Sequence, residues 1–539
     1  MKNRAKKLIA LALAALCLLS GCGQKTDAPG ADELPPVYDG PASGTEVKAW
    51  VPADRVFSLN YDPEASINPL RADSSTNMQF WSLLYDSVFT VDENFHVSSE
   101  VVTAVRSDDH IWWVFDIDDT IPFTDGSTLT ASDIVYSIQR AQQSSYYRSR
   151  LSCIQGISAM GSNCFAITTA YANSQFPALL NIPIIKRDSY FDDVPAGSGP
   201  YRMAASGDKL ELFRENRHAA EMPIDTIYLK DCMDTSAKIR AFESAVLDLV
   251  TNDPTGMYNL GYGSNNETRY YDTSNMHYIG FNMDSMFFLT SPARRAVSYV
   301  LDRNYIVTEL MDGCGVAATL PVHPKSELYD VDYAGGFVYG PEKAALMFEN
   351  AGVGDHDNDG DLEMLVTGIP VELKIRFIVN NDSTVKIQAA RRICEELNAL
   401  GITTTLRELS WADYITALED GDYDMYYGEL RLTPDWNLSD LFLPRTERKE
   451  GYPFQGINYG NVRDKHYGEL YAAYLAAEDE TARATAFSEV CRYIGDTGVI
   501  LPICFERREV LTHRGVVSGI RATQYDIFHN FKDWTINLE

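Results

Sequence analysis

Positive charge is in short supply: the 539 residues carry 46 Lys and Arg against 76 Asp and Glu, a formal net charge of −30. A body that acidic repels a phosphate backbone and shows no basic patch, so nucleic acid is excluded as a partner. Long hydrophobic runs are missing too. Beyond the first two dozen residues no apolar stretch reaches the roughly 18 residues that mark a spanning helix. Histidine is sparse, nine residues without i, i+4 pairing, so neither a metal enzyme nor a cofactor is suggested. Apart from Cys17 and Cys22, seven cysteines remain: Cys153, Cys164, Cys232, Cys314, Cys394, Cys491 and Cys504. Their number is odd, their spacing wide, and no C-x-x-C occurs, which argues against structural zinc. Cys153 and Cys164 could close a local hairpin; the others are expected to be small buried hydrophobes. There is no H-E-x-x-H, Walker loop, G-x-S-x-G or glycine-rich dinucleotide turn. Ser383-Thr384-Val385-Lys386 fits S-x-x-K but lacks the S-D-N and K-T-G companions. A serine hydrolase using Ser383 and Lys386 is therefore kept only as the alternative from another class, and the expectation is a protein that is not an enzyme.

What is present begins at the amino terminus. Lys2, Arg4, Lys6 and Lys7 precede the apolar run Leu8 to Leu19, too short to span and of signal-peptide form. The run ends Leu19-Ser20-Gly21-Cys22, which resembles a bacterial lipobox. Residues 1–21 are then a lipoprotein signal peptide, and Cys22 is the lipid attachment site. Their removal leaves 42 basic against 76 acidic side chains. Residues 22–45 are rich in Pro, Gly, Asp and Ala without periodicity and read as a tether, able to span roughly 25–30 Å. The chain is expected on the extracytoplasmic face of a bacterial cell membrane, held by a lipid and not embedded.

From 46 to about 280 the texture is strands and turns with short helices. Trp113, Phe115 and Ile117 alternate with Val114 and Asp116, a strand period. Thr130 stands three residues before Asp133, a capping box opening a helix over 131–141. From about 280 to 500 strands and helices alternate. Ser291-Pro292 starts a helix with proline where its missing donor costs nothing. Residues 371–379 alternate as a strand. A helix follows with Ala389, Ile393, Leu397 and Leu400 on one stripe and Gly401 at its end. Ile402 to Leu406 reads as a strand, Ser410 and Asp413 cap a helix over 411–419, and Tyr423 to Leu432 is again strand-like. This order predicts a parallel α/β sheet with right-handed crossovers. Ligands of such sheets sit off the carboxyl ends of strands, here the stretch 428–436. One acidic loop, Asp355 to Glu363, places carboxylates at positions 1, 3 and 5 and Gly360 at 6. A solvated turn and a structural Ca²⁺ site both fit it, although Val366 stands where a bidentate acid belongs.

Several runs resemble extracytoplasmic solute-binding proteins of the peptide/nickel type, family 5. Trp113 to Arg140 contains FTDGSTLTASDIVYS against the family's F-x-D-G-x-x-L-T-A-x-D-V-x-x-S. Gly197-Ser198-Gly199-Pro200-Tyr201 is similar to its G-T-G-P-Y turn. Ser291 to Arg303 resembles its V-R-x-A-x-x-x-A-x-D-R helix, and Tyr339-Gly340-Pro341-Glu342-Lys343-Ala344 its Y-D-P-E-K-A. The resemblance implies a periplasmic-binding-protein-like α/β fold of two lobes joined by a hinge, with an extra subdomain in the first. Lobe I would take 46–278 and a returning segment 505–539; lobe II would take 279–504. It further implies a monomeric receptor that binds oligopeptides between its lobes and delivers them to the permease of an ABC importer. A nickel chelate or oligosaccharide is the alternative ligand within the family. Carried over residue by residue, Asp435 would pair with a peptide α-ammonium. Arg431 would pair with a ligand carboxylate or else with Glu429. Trp436 and Tyr427 would cover the ligand backbone or belong to the core.

Overall fold

The computed structural model describes residues 55–256, 259–262, 266–358, 362–366, 368–442 and 457–538. The signal segment, Cys22 and the tether lie outside the described residues, as do residues 359–361 of the acidic loop. Alternation builds the first sheet. Trp113, Phe115 and Ile117 are buried, while Trp112, Val114 and Asp116 face outward to varying degrees. The strands Val102–Arg106, Trp112–Ile117, Cys164–Thr169 and Ile154–Ala159 pair antiparallel in that order. Phe115 stacks on Phe165 with centroids 4.8 Å apart.

Against this sheet packs the helix Ala131–Ala141, burying Ile134 and Ile138. Its capping box forms as the sequence indicates: an Asp133 carboxylate oxygen accepts from the Thr130 backbone N–H at 2.9 Å and from its hydroxyl at 2.5 Å. Such a cap contributes about 1 kcal/mol. The disulfide considered for Cys153 and Cys164 does not form. Ile154 pairs with Thr169 and Ala159 with Phe165, so the two cysteines stand at opposite ends of the hairpin. All seven described cysteines are free.

The second sheet has eleven strands and carries the architecture. At one end Ile375–Asn380 runs parallel to both Thr404–Leu409 and Met425–Arg431. The crossovers are the helices Thr384–Ala399 and Trp411–Asp420. Phe377, Val379, Ile393 and Leu397 share one core, whereas Ile378, Tyr414 and Leu418 share another, so both faces of these strands are covered. Each aliphatic buried there contributes about 1.5–3 kcal/mol. The strand expected over 371–379 is in fact two. Ile369–Glu372 turns back on Glu363–Val366, and a separate strand starts at Ile375. Period-two alternation continues through a kink and therefore does not reveal it.

Two long strands, Asn266–Phe281 and Ile500–His513, run antiparallel through the middle of the sheet. On their far side follow Leu249–Asn252, Ser58–Tyr61, Thr226–Asp231, Lys209–Leu212 and Tyr201–Met203. The carboxyl-terminal residues Val510, Val516, Phe528, Phe531 and Trp534 join the core that holds Phe57 and Leu59. The register of the long pair slips between Asp272 and Met276, next to the strand Met425–Arg431 that leads to the candidate site. No helix among the described residues is long and apolar enough to cross a membrane.

Candidate ligand-binding site

The strand Met425–Arg431 delivers its side chains by alternation and by two close approaches. Tyr426 faces Gly280 and Tyr278 faces Gly428 across the antiparallel pair. Each tyrosine ring lies where the opposite glycine's Cβ would be. Any side chain at Gly280 or Gly428 would push a ring aside. Tyr427 points into the core. It is 3% exposed, and its hydroxyl lies 2.8 Å from His277 Nδ1. Glu429 and Arg431 emerge on the accessible side.

Past the strand the chain turns through Thr433–Trp436, closed by the Trp436 N–H donating to the Thr433 carbonyl at 2.9 Å. Trp436 takes φ 55°, a left-handed conformation that costs a bulky residue energy. Packing holds it there: the indole is 3% exposed, between Phe95 at 5.1 Å and Phe505 at 6.1 Å. The turn swings the Asp435 carboxylate inward, where it is 2% exposed. Thr433 Oγ1 donates to it at 2.6 Å, and Asn173 Nδ2, from a segment 262 residues earlier, reaches the other oxygen at 3.4 Å. Tyr471 fixes the backbone by donating to the Asp435 carbonyl at 3.0 Å. No Lys, Arg or His nitrogen among the described residues pairs with this carboxylate. Burial accordingly pushes its pKa up, and the bonds from Thr433, Asn173, its own backbone N–H and Tyr471 counter that only in part.

Arg431 does not take the internal partner considered for it. Glu429 instead accepts from Lys386 Nζ at 3.1 Å and from Asn275 Nδ2 at 2.5 Å. The Arg431 guanidinium lies over the Tyr146 ring, 5.8 Å from its centroid. The four residues named from the sequence thus divide. Asp435 and Arg431 offer opposite charges without a charged partner among the described residues, whereas Tyr427 and Trp436 are enclosed by side chains.

Beside them lies a network that spacing could not reveal. His277, on one long strand, has Nε2 2.8 Å from Glu506 Oε1 on the other. Asn275 Nδ2 bridges Glu429 and Glu506, at 2.5 Å from each. Burial alone would strip the His277 proton, but Glu506 overrules it and raises the pKa. Burial likewise opposes the Glu429 charge, yet His277 and Lys386 hold its carboxyl well below the usual range. His277, Glu429 and Glu506 could each offer a metal one atom within 4.8 Å of the others. Asn275 Nδ2 and Lys386 Nζ already donate to the Glu429 and Glu506 oxygens. Asp355, Asp357 and Glu363 form a second such group in the acidic loop.

The S-x-x-K motif resolves as a helix cap. Ser383 Oγ accepts from the Lys386 N–H at 3.4 Å and donates to the Thr255 carbonyl at 2.7 Å. Lys386 Nζ turns away to Asp382 at 2.6 Å and Glu429. Burial draws this ammonium down, but the two carboxylates overrule it and leave it above its ordinary range, so it is no base for Ser383.

The profile of the bacterial extracellular solute-binding proteins, family 5 Middle, matches residues 96–450. The chain belongs to that family. Its members are solute-binding proteins, so the chain is a binding protein and not an enzyme. The oligopeptide-binding protein AppA of Bacillus subtilis (strain 168) is 24% identical over 455 residues, 79% of this chain and 80% of the relative. The structure of AppA from that species with a nonapeptide superposes with a TM-score of 0.59 at 19% identity, covering 89% of this chain and 98% of the other. NikZ from Campylobacter jejuni, in complex with Ni(L-His), gives 0.63 at 16% identity over 89% and 99%. These likenesses show the fold of this solute-binding protein to be periplasmic-binding-protein-like α/β.

Proposed function

We propose that the protein is a lipid-anchored extracytoplasmic receptor that binds oligopeptides between two lobes and delivers them to an ABC importer. The observation that carries the reading is Asp435, a buried carboxylate with neutral donors and no cation among the described residues. Burying an ion without a counter-charge costs several kcal/mol, and a peptide α-ammonium would remove that cost on binding. The peptide ligand of the Bacillus subtilis relative supports the same class. In this reading lobe I comprises 46–278 with 505–539 and lobe II comprises 279–504. The two long central strands act as the hinge, and the lobes close over the ligand. Cys22 carries the lipid, and the tether lets the body reach both ligand and permease.

The test is uptake of a radiolabelled peptide mixture by cells lacking the gene. Uptake falls on deletion, returns with the wild-type gene, and fails to return with Asp435→Asn. Undiminished uptake after deletion contradicts the transport role. A nickel–histidine complex, the ligand of the Campylobacter jejuni relative, is the second substrate to assay in the same cells.

A further inference from the structure

The left-handed Trp436 is held from a segment far away in sequence. The strands Thr90–Val91 and Val97–Ser98 pair antiparallel and leave residues 92–96 as the turn between them. Asp92 ties that turn. Its Oδ1 accepts from the Asn94 and His96 N–H groups, each at 2.8 Å, and its carbonyl accepts from the Phe95 N–H at 3.1 Å. So held, Phe95 takes φ 67°, a second bulky residue in the left-handed region. It turns off its own hairpin and packs against the core that contains Trp436, Tyr471 and Phe505. Its ring meets Trp436 edge to face at 5.1 Å and His323 at 4.9 Å. Phe505, on the long strand Ile500–His513, closes the circle, 5.2 Å from His323 and 6.1 Å from Trp436. The next residue of the turn makes a polar contact in the same direction: His96 Nε2 lies 3.2 Å from Glu327 Oε1. In the two-lobe reading residues 92–96 belong to lobe I, and His323, Glu327 and Trp436 to lobe II. Opening the cleft would then withdraw Phe95 and leave that side of the indole to water. A left-handed tryptophan is disfavoured by its own backbone and persists only where its surroundings fix it.

We propose that Phe95 is a positioning residue for the ligand's ammonium: reaching across the cleft, it pins Trp436, and Trp436 keeps the neighbouring Asp435 carboxylate turned inward, so that the ammonium site is complete only when the lobes are together. This rests on the peptide-receptor reading and deepens it. The coupling runs through consecutive residues. The Trp436 N–H closes the turn on the Thr433 carbonyl at 2.9 Å, and Thr433 Oγ1 holds the Asp435 carboxylate at 2.6 Å. A Trp436 that relaxes to an ordinary backbone conformation opens this turn and carries both bonds away. A free-amine ligand gains from the assembled carboxylate only in the closed form and therefore favours closure. A ligand with a blocked amine lacks that differential.

The test combines isothermal titration with hydrogen exchange, both on the full chain in detergent. The probes are alanine peptides of three, five and nine residues with free and with acetylated amino termini. The wild type is expected to favour the free amine by about 30-fold or more. In Phe95→Ala that preference falls to about threefold or less, the free-amine peptides losing more than the acetylated ones. Phe95→Tyr keeps the ring and retains the preference. Exchange is read by mass spectrometry on residues 432–438, in the protein alone and saturated with its tightest peptide. There Phe95→Ala should speed exchange by about tenfold or more in at least one condition, with Phe95→Tyr like the wild type and the helix Trp411–Asp420 unchanged in all three. A preference that survives Phe95→Ala, equal losses for free and acetylated peptides, or unchanged exchange of 432–438 in both conditions overturns the proposal. If the wild type binds no peptide, or binds both forms equally, the peptide reading or the role of Asp435 fails by itself. Exchange of the protein alone then decides whether Phe95 positions the turn: faster exchange in Phe95→Ala upholds it, and equal exchange overturns it.

Discussion

Replacing Asp435 by asparagine should move stability and affinity in opposite directions. In the free protein the carboxylate is buried with Thr433 and Asn173 as its donors and no cation, and burial raises its pKa. A carboxyl raised in the folded state opposes folding at every pH above its unfolded value of about 4. Asparagine removes that charge, keeps the shape, and can still accept from Thr433. Only the 3.4 Å contact with Asn173, the weaker of the two, is lost to a donor–donor mismatch. At pH 7 the variant should therefore melt at the same temperature as the wild type or higher. Binding of a free-amine peptide should weaken by about 2–5 kcal/mol, since the α-ammonium is then buried unpaired. That corresponds to roughly 30- to 4,000-fold in Kd. An amino-acetylated peptide brings no ammonium and should lose far less. The assay is a double-mutant cycle by isothermal titration, crossing wild type and Asp435→Asn with the free and acetylated peptides, alongside thermal melts. Equal losses for both peptides would refute the ammonium assignment, and a variant destabilised by more than about 1 kcal/mol would refute the account of an uncompensated charge.

Ser383→Ala should cost about 1–2 kcal/mol in a urea melt, because it removes a helix cap and a buried bond to Thr255; no peptide hydrolysis should exist for it to abolish. The His277 pKa is raised in the folded state, so its contribution to stability is complete below its unfolded value of about 6.5 and is lost as pH rises through the folded one. Urea midpoints between pH 6.5 and 9 should fall with pH in the wild type and flatten in His277→Asn; an unchanged slope would mean that His277 is neutral throughout. His323 adds the opposite slope at lower pH, since burial brings its pKa down to about 4 and stability is lost as pH falls below 6.5. Cys22→Ser should shift the protein from the membrane pellet to the soluble fraction after cell fractionation, and a variant that stays in the pellet would contradict lipid attachment.

The local elements are legible in the sequence because local rules govern them. Thr130 with Asp133 and Ser410 with Asp413 mark their caps by spacing and residue type alone, and both helices start there. The strand–helix–strand order between 375 and 431 likewise follows from periodicity. The kink that splits 371–379 is hidden, since alternation continues through it. The stretch 428–436 can be singled out because strand ends present their loops to a cleft. Which side chains of this turn and its strand are enclosed cannot, because burial of Tyr427, Asp435 and Trp436 depends on His277, Asn173, Phe95 and Phe505 from remote segments. Asn173 carries no signal at all: it is an ordinary polar residue until folding brings it beside Asp435.

The central claim is that this chain receives and releases peptides intact, and native mass spectrometry of the full chain released from detergent tests it most directly. Spectra would be taken as purified and after incubation with a random peptide pool. The account predicts bound masses in the peptide range that exchange with the pool, while the pool itself stays uncut. A protein that retains no peptide under either condition, or a pool that is shortened, would contradict it.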